Sequence, residues 1–143
     1  MKLMKFSWPL ALLLLAVGVG CGDDDDGNEA DRLGIASICT DNMDCPRVDA
    51  QDGSTVQLIC LTGFKGGYCG MQDCSTAADC PQGSTCVRHT DMQTYCFREC
   101  ANKPECNRNR PPDLEANCSS SFDFNDPADD LGQKACIPPS SGI

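Results

Sequence analysis

Large apolar side chains and basic groups are both scarce in this 143-residue chain. With an apolar leader over 1–20 set aside, Leu, Ile, Val and Phe together fill only 17 of the 123 positions that remain. Nine Lys and Arg then face 21 Asp and Glu, a formal charge of −12. Chains so charged and so poor in apolar residues normally stay unfolded, because burial cannot offset chain entropy. That argues against a domain built on one large core and against an ordinary cytosolic enzyme. The shortage of cations argues against a nucleic-acid partner, whose phosphates an acidic surface repels. No C-x2-C pair is present, so the usual ligand spacing of structural zinc is missing, and no metal or cofactor is expected. His89 is the sole histidine, beside Arg88 and Thr90, and is expected to be exposed. No nucleophile-elbow motif surrounds any serine, and no catalytic residue is assigned.

Cysteine is what the chain has in abundance. From Cys39 onward there are 12 Cys in 105 residues, about 11%. That density belongs to exported domains that use disulfides where the apolar core is too small.

The leader fits an exported chain. Two lysines lie within Met1 to Lys5, and an apolar stretch containing Leu12-Leu13-Leu14-Leu15 ends in Gly18-Val19-Gly20, directly before Cys21. This is the pattern of a secretory signal, shorter than the roughly 20 apolar residues of a spanning helix. It resembles the signal of bacterial lipoproteins, in which a small residue precedes an invariant Cys that is diacylated and then becomes the N-terminus; Gly18 stands where that family usually has a larger aliphatic residue. The resemblance implies lipidation of Cys21 and attachment to a bacterial envelope membrane. Gly22, rather than Asp, after the Cys implies the outer membrane or cell surface by likeness to enteric lipoproteins. Parity agrees: of 13 cysteines one must lack a partner, and Cys21 stands well apart from the next, Cys39. Residues 21–38 open with Gly22-Asp23-Asp24-Asp25-Asp26 after the Cys, whose adjacent carboxylates repel one another, and are expected to form an acidic flexible tether.

The other twelve cysteines fall into three groups of four, each opening with C-x5-C. Unit 1 (39–73) holds Cys39, Cys45, Cys60 and Cys69; unit 2 (74–99) holds Cys74, Cys80, Cys86 and Cys96; unit 3 (100–143) holds Cys100, Cys106, Cys118 and Cys136. Flanking residues repeat as well. Asp44-Cys45-Pro46 matches Asp79-Cys80-Pro81, Gly53-Ser54-Thr55 matches Gly83-Ser84-Thr85, and Tyr68-Cys69 matches Tyr95-Cys96, while unit 3 diverges. Within each C-x5-C, a capping residue (Asp41, Thr76 or Asn102) stands three before an acid (Asp44, Asp79 or Glu105). This spacing predicts one capped helical turn, too short to hold without flanking bridges. Strands are expected over 55–61 and 94–97, with 86–90 as a hairpin partner of the latter. The fold class that follows is small and disulfide-rich: three four-cysteine modules with short helical turns and hairpins, and little regular secondary structure. Each unit allows three pairings. First-to-third with second-to-fourth is favoured because its overlapping loops pin the turn from both ends, although Cys100 and Cys136 could join across.

The D-C-P…G-S-T…C pattern resembles cysteine-rich units of bacterial surface lipoproteins and, more distantly, the N-terminal cysteine-rich domain of Dickkopf proteins. That likeness implies a small extracellular module used for binding. The expected role is a lipid-anchored, non-catalytic binding or adhesion module with an unknown protein or glycan partner. Its loops are unequal, long from Pro46 to Ile59, short from Pro81 to Thr85 and intermediate from Asn107 to Asn117, and would serve as the contact surface. The candidate contact residues are 49–55, Arg108, Arg110 and Pro111, with Phe64 and Tyr68 as exposed anchors. Arg98, Lys103, Arg108 and Arg110 cluster closely in sequence as a candidate basic patch. Residues 123–130 offer carboxylates but fail the EF-hand pattern and are expected to be a solvated acidic loop. The alternatives are a protease inhibitor presenting Arg47 or Arg88, and a structural spacer.

Each bridge contributes about 2–4 kcal/mol, against a net stability of about 5–15 kcal/mol for a domain. Complete reduction is therefore expected to unfold the chain. Amide dispersion in NMR spectra with and without reductant checks this; dispersion that survives full reduction would contradict it.

Overall fold

The computed structural model describes residues 29–49 and 55–141. Signal residues 1–20, Cys21, the tetra-aspartate run and residues 50–54 of the candidate contact loop lie outside the described residues.

Every unit is bridged first-to-third and second-to-fourth. The pairs are Cys39–Cys60 and Cys45–Cys69, Cys74–Cys86 and Cys80–Cys96, and Cys100–Cys118 and Cys106–Cys136. The predicted turn forms inside each C-x5-C: 3-10 turns at Asn42–Asp44 and Ala77–Asp79, and, after helix α1 (Glu29–Arg32), helix α2 at Lys103–Cys106. Asp44 Oδ2 accepts from the N–H of Thr40 at 2.7 Å and of Asp41 at 3.3 Å. Asp79 Oδ2 repeats this with Ser75 at 2.8 Å and Thr76 at 2.9 Å. In unit 3 Glu105 Oε2 accepts from Ala101 N–H at 2.8 Å. The acid thus ties the chain entering the turn to its far end, and the turn brings the two cysteines of the motif together. In all three units their sulfurs lie within 4.8 Å of each other.

The strands are short: β1 (Arg47–Asp49), β2 (Thr55–Gln57), β3 (Ile59–Cys60), β4 (Cys69–Gln72), β5 (Ser84–Arg88), β6 (Thr94–Cys100), β7 (Asn117–Ser119), β8 (Asp123–Phe124) and β9 (Lys134–Ile137). The hairpin expected in unit 2 is β5–β6, antiparallel with Cys86 opposite Cys96. The stretch 55–61 divides into β2, which pairs with β1, and β3, which pairs with β4. Strands β1, β4, β7, β8 and β9 lie where the sequence predicts loop. They have too few residues for alternation to register, and their pairing comes from long-range partners.

Those partners also change the picture of independent modules. Strand β6 of unit 2 pairs with β5 of its own unit, β4 of unit 1 and β9 of unit 3. Strand β8 of unit 3 pairs with β5. One hydrophobic cluster draws Leu58, Leu61, Phe64 and Tyr68 from unit 1, Val87, Tyr95 and Phe97 from unit 2, and Ala135 from unit 3. A seven-stranded sheet and one apolar cluster join all three units, with the β1–β2 ribbon apart from that sheet, so the units are not beads on a tether.

The end of the predicted tether is also part of that core. Helix α1 leads into a turn in which Ile35 and Ala36 are buried, as is Ala30 in the helix itself. Ala36 N–H donates to Cys69 O at 3.1 Å, and Cys69 N–H donates to Ser37 O at 3.0 Å. Ala30, Leu33, Ile35 and Ala36 give this part of the segment an apolar face that the acidic run before it lacks, so it packs.

A close approach inside unit 1 sets up its contact with unit 3. Gly67, at φ 69°, passes so close to the first bridge that a Cβ there would meet Cys39 O at 2.1 Å and Cys60 Sγ at 2.9 Å. Only glycine fits this backbone and this approach. The Gly67 carbonyl then accepts at 3.0 Å from Arg110, whose buried guanidinium also donates to Ala36 O at 3.1 Å, Lys65 O at 2.7 Å and Leu114 O at 2.7 Å. Arg110→Ala would strand buried carbonyls, at about 1–3 kcal/mol for each one left without a partner. It is expected to cost on the order of 3 kcal/mol in urea unfolding with the bridges intact. Arg110→Lys should recover little, since an ammonium cannot span the fork; full recovery by Lys would contradict this role.

Candidate functional site

The residues singled out as contact anchors are placed very differently from one another. Phe64 is 3% exposed and Tyr68 0%, so neither is an exposed anchor. In a chain with few aromatics they build the core instead. Phe64 lies edge-on to Tyr95 at 5.1 Å and to Phe97 at 5.5 Å, and Tyr68 packs on Phe97 at 5.2 Å. The Tyr68 hydroxyl accepts from Arg98 N–H at 3.0 Å, and burial pushes its pKa well up. The Tyr-Cys repeat is thus a core signature: the tyrosine before the fourth cysteine is buried in both units that carry it.

The basic cluster is dispersed too. Arg110 is the buried fork already described, and Arg98 is buried with its guanidinium donating to Glu105 O. Lys103 pairs with Glu115. Arg108 is exposed and Pro111 half-buried, at the surface of the loop that Arg110 anchors. Internal pairing, not a basic patch, accounts for this run. The acidic segment 123–130 keeps Asp123 and Asp130 exposed, as a solvated loop would, but it is also strapped to unit 2. Asp129 Oδ2 accepts from Ala77 N–H at 2.7 Å, Asp126 Oδ1 from Ala128 N–H at 2.9 Å and Asp130 Oδ1 from Gly132 N–H at 3.1 Å. Asn125 bonds Arg88 and Ser75 O, each at 2.7 Å. Asn125 and Asp129 hold unit 3 onto unit 2.

Arg47 and Arg88 both lie in ladders. Arg47 stands opposite Gln57 and donates to its Oε1 at 3.0 Å. Arg88 stands between Thr94 on β6 and Asp123 on β8. The sulfur triplets Cys39/Cys45/Cys69, Cys74/Cys80/Cys86 and Cys100/Cys106/Cys136 are close enough to share an ion, but each of these sulfurs is spent in a disulfide.

What the structure does assemble is a cleft at the tip of the β5–β6 hairpin. It has a volume of about 540 Å³, with Arg88, His89, Thr90 and Met92 on the hairpin side and the 120–123 segment and Ile137 opposite. A second cleft of about 280 Å³, which shares His89 and Ile137 with the first, runs along Asn117, Ser119 and 138–140. The hairpin tip is tightly specified: His89 N–H donates to Gln93 O and Met92 N–H to His89 O, both at 2.9 Å. Asp91 accepts from Gln93 N–H at 2.9 Å and from the Tyr95 hydroxyl at 2.8 Å. His89 is not the exposed residue that its sequence neighbours suggest. Its side chain is only 9% exposed and lies edge-on to Phe64 at 5.2 Å, with Nδ1 3.5 Å from Asp91 Oδ1. Phe122, which packs edge-on to Phe124 at 5.0 Å, is a site residue that sequence reasoning misses. Its one local signal is the Phe122-Asp123-Phe124 alternation after three serines.

No family model, no curated protein and no solved structure matches this chain. Among the described residues no helix is long and apolar enough to cross a membrane.

Among the described residues, four carboxyl groups are displaced from their ordinary values. The backbone N–H and hydroxyl of Thr40 hold Asp44 low, and the N–H groups of Thr76 and Ser75 do the same for Asp79. Burial pushes Asp91 up, but the bonds from Gln93 and Tyr95 and the nearby His89 outweigh it, and the net shift is down. Burial raises Glu99. A depressed folded pKa contributes stability that is present above the unfolded carboxylate value and is lost as pH falls through the folded one. Glu99 works in the opposite sense. NMR titration is expected to place Asp44, Asp79 and Asp91 below the ordinary carboxylate range and Glu99 above it. Urea midpoints should fall as the solution is acidified below about pH 4.

Proposed function

We propose that the chain is a lipid-anchored, non-catalytic binding module of a bacterial envelope, held to the membrane through Cys21 and engaging its partner at the hairpin-tip cleft. The observation that carries this reading is the cleft itself. Its walls come from different units and rest on a framework closed by six disulfides among the described residues. Bridged, hydrogen-bonded loops lose little entropy when a partner binds, which is what a small recognition scaffold requires. The leader and the Cys21 that follows it support the anchor, and Gly22 supports outer-membrane or surface placement. The ladder position of Arg88 favours binding over protease inhibition at that residue. An inhibitory loop presents an extended strand to the protease, whereas Arg88 is flanked by strands on both sides.

Two or three acyl chains at about 0.8 kcal/mol per buried methylene make attachment effectively permanent. The mature protein is expected to partition into detergent, and Cys21→Ala to release it in soluble form; membrane retention of that variant would refute the anchor. For the binding role, oxidised protein on a resin is expected to capture a partner from envelope extracts and to leave a panel of serine proteases uninhibited. Potent inhibition abolished by Arg47→Ala or Arg88→Ala would replace this reading, and absence of both capture and inhibition would leave a structural spacer.

A further inference from the structure

We infer that the hairpin-tip cleft is a binding site for a short neutral glycan. This rests on the binding-module reading and names the ligand class of the same site.

Backbone strain and exposure mark the rim. Met92 sits in left-handed backbone at φ 68° with 74% of its surface exposed. A non-glycine residue in that region and a large exposed apolar side chain both run against local preference, and such departures concentrate at binding sites. Behind the rim, His89 forms a wall common to both clefts. Its Nδ1 is turned away from solvent toward the Asp91 carboxylate, 3.5 Å off, and the ring lies edge-on to Phe64, so the wall is held in one orientation.

The lining chemistry selects the ligand. Thr90, Ser120 and Ser121 line the larger cleft, and Ser119, Ser140 and Asn117 the smaller. Hydroxyls both donate and accept, as do the hydroxyls of a sugar ring. Phe122 offers an aromatic ring, fixed edge-on by Phe124 and partly exposed, onto which the C–H face of a pyranose can lie. The charges cancel: Arg88 and Asp123 are the charged residues of the larger cleft, and Arg88 is already engaged by Asn125. A neutral site on a chain this acidic is the wrong site for a cation, which the acidic surface would draw elsewhere, and against an anion its one guanidinium stands beside the Asp123 carboxylate.

The test uses the oxidised Cys21→Ala chain, otherwise intact, against neutral hexasaccharides of the α-glucan, β-glucan, mannan and N-acetylglucosamine series. A uronic-acid hexasaccharide and unmodified peptides serve as competing classes. Saturation-transfer NMR and calorimetry are expected to detect one neutral series. Phe122→Ala should weaken it about tenfold or more, as loss of a central aromatic anchor does, and Phe122→Tyr should restore it. His89→Phe keeps the ring packing and should still weaken binding severalfold. Unchanged thermal melting of these variants separates loss of the site from loss of the fold. The inference is overturned if no neutral series binds, if the acidic glycan or a peptide is preferred, or if Phe122→Ala binds as well as the parent. Capture of an envelope partner that Phe122→Ala retains in full would sink the glycan site and leave the module standing. Absence of any capture or saccharide binding would sink both.

Discussion

Strand β6 is the constraint on which the rest of the structure depends. Over seven residues it carries Cys96 and Cys100, places Tyr95 and Phe97 in the core, and pairs with strands from all three units. A chain with so few large apolar residues cannot give each unit its own core. Pooling them does what separate burial cannot. Phe64, Tyr68, Tyr95 and Phe97 pack ring against ring across a unit boundary, and Phe64 and Phe97 each touch the other as well as Tyr68, Tyr95 and His89. The bridges lower the entropy of the unfolded chain, on one account of their action, and the shared sheet directs segments of all three units onto a common apolar cluster.

The division of labour between bridges and polar contacts follows from the same scarcity. Among the described residues, disulfides close loops within a unit and never cross between units. Apart from the sheet and core, units 1 and 3 meet in a backbone bridge, Lys65 N–H to Pro139 O and Ser141 N–H to Gly63 O, and side chains reach backbone groups across the boundaries: Arg110 to carbonyls around unit 1, Asn125 and Asp129 to unit 2. Where such groups are buried, their partners could not be regained from water without opening the interface, and the loss of a partner then costs more than the bond itself contributes.

Local features were legible in the sequence for a physical reason: they are encoded by residues close together. The cap-to-acid spacing at Asp41 and Asp44 or Thr76 and Asp79 joins a side chain to backbone only a few positions away, so it can be read directly. The bridge pattern was legible because interleaved loops suit a turn held at both ends. The hairpin of unit 2 was visible in its β-branched and aromatic residues. The candidate site was not. Tyr68 and Phe64 looked like anchors because the sequence records their size but not the partners that cover them, which belong to the next unit at Tyr95 and Phe97. Arg110 looked like a surface cation because a buried arginine without a carboxylate is identified only by the carbonyls that surround it. His89 looked exposed between Arg88 and Thr90, whereas alternation past the end of β5 turns it toward the rings.

Divergence of unit 3 is then a consequence of its position rather than a loss of the pattern. Unit 2 lies at the centre of the sheet and has the tightest loops, its bridged cysteines separated by 12 and 16 positions. The second bridge of unit 3 spans 30, and that length is spent on contact with its neighbours. The 107–114 segment delivers Arg110 to unit 1, and the 120–130 segment delivers β8, Asn125 and Asp129 to unit 2. Because β8 covers only the end of β5, the hairpin tip beyond it stays uncovered. The serines before Phe122 then face that tip across open space. The cleft is the gap left where a long, divergent loop docks on a short, regular hairpin. Three identical repeats would have had no such asymmetry and no such cleft.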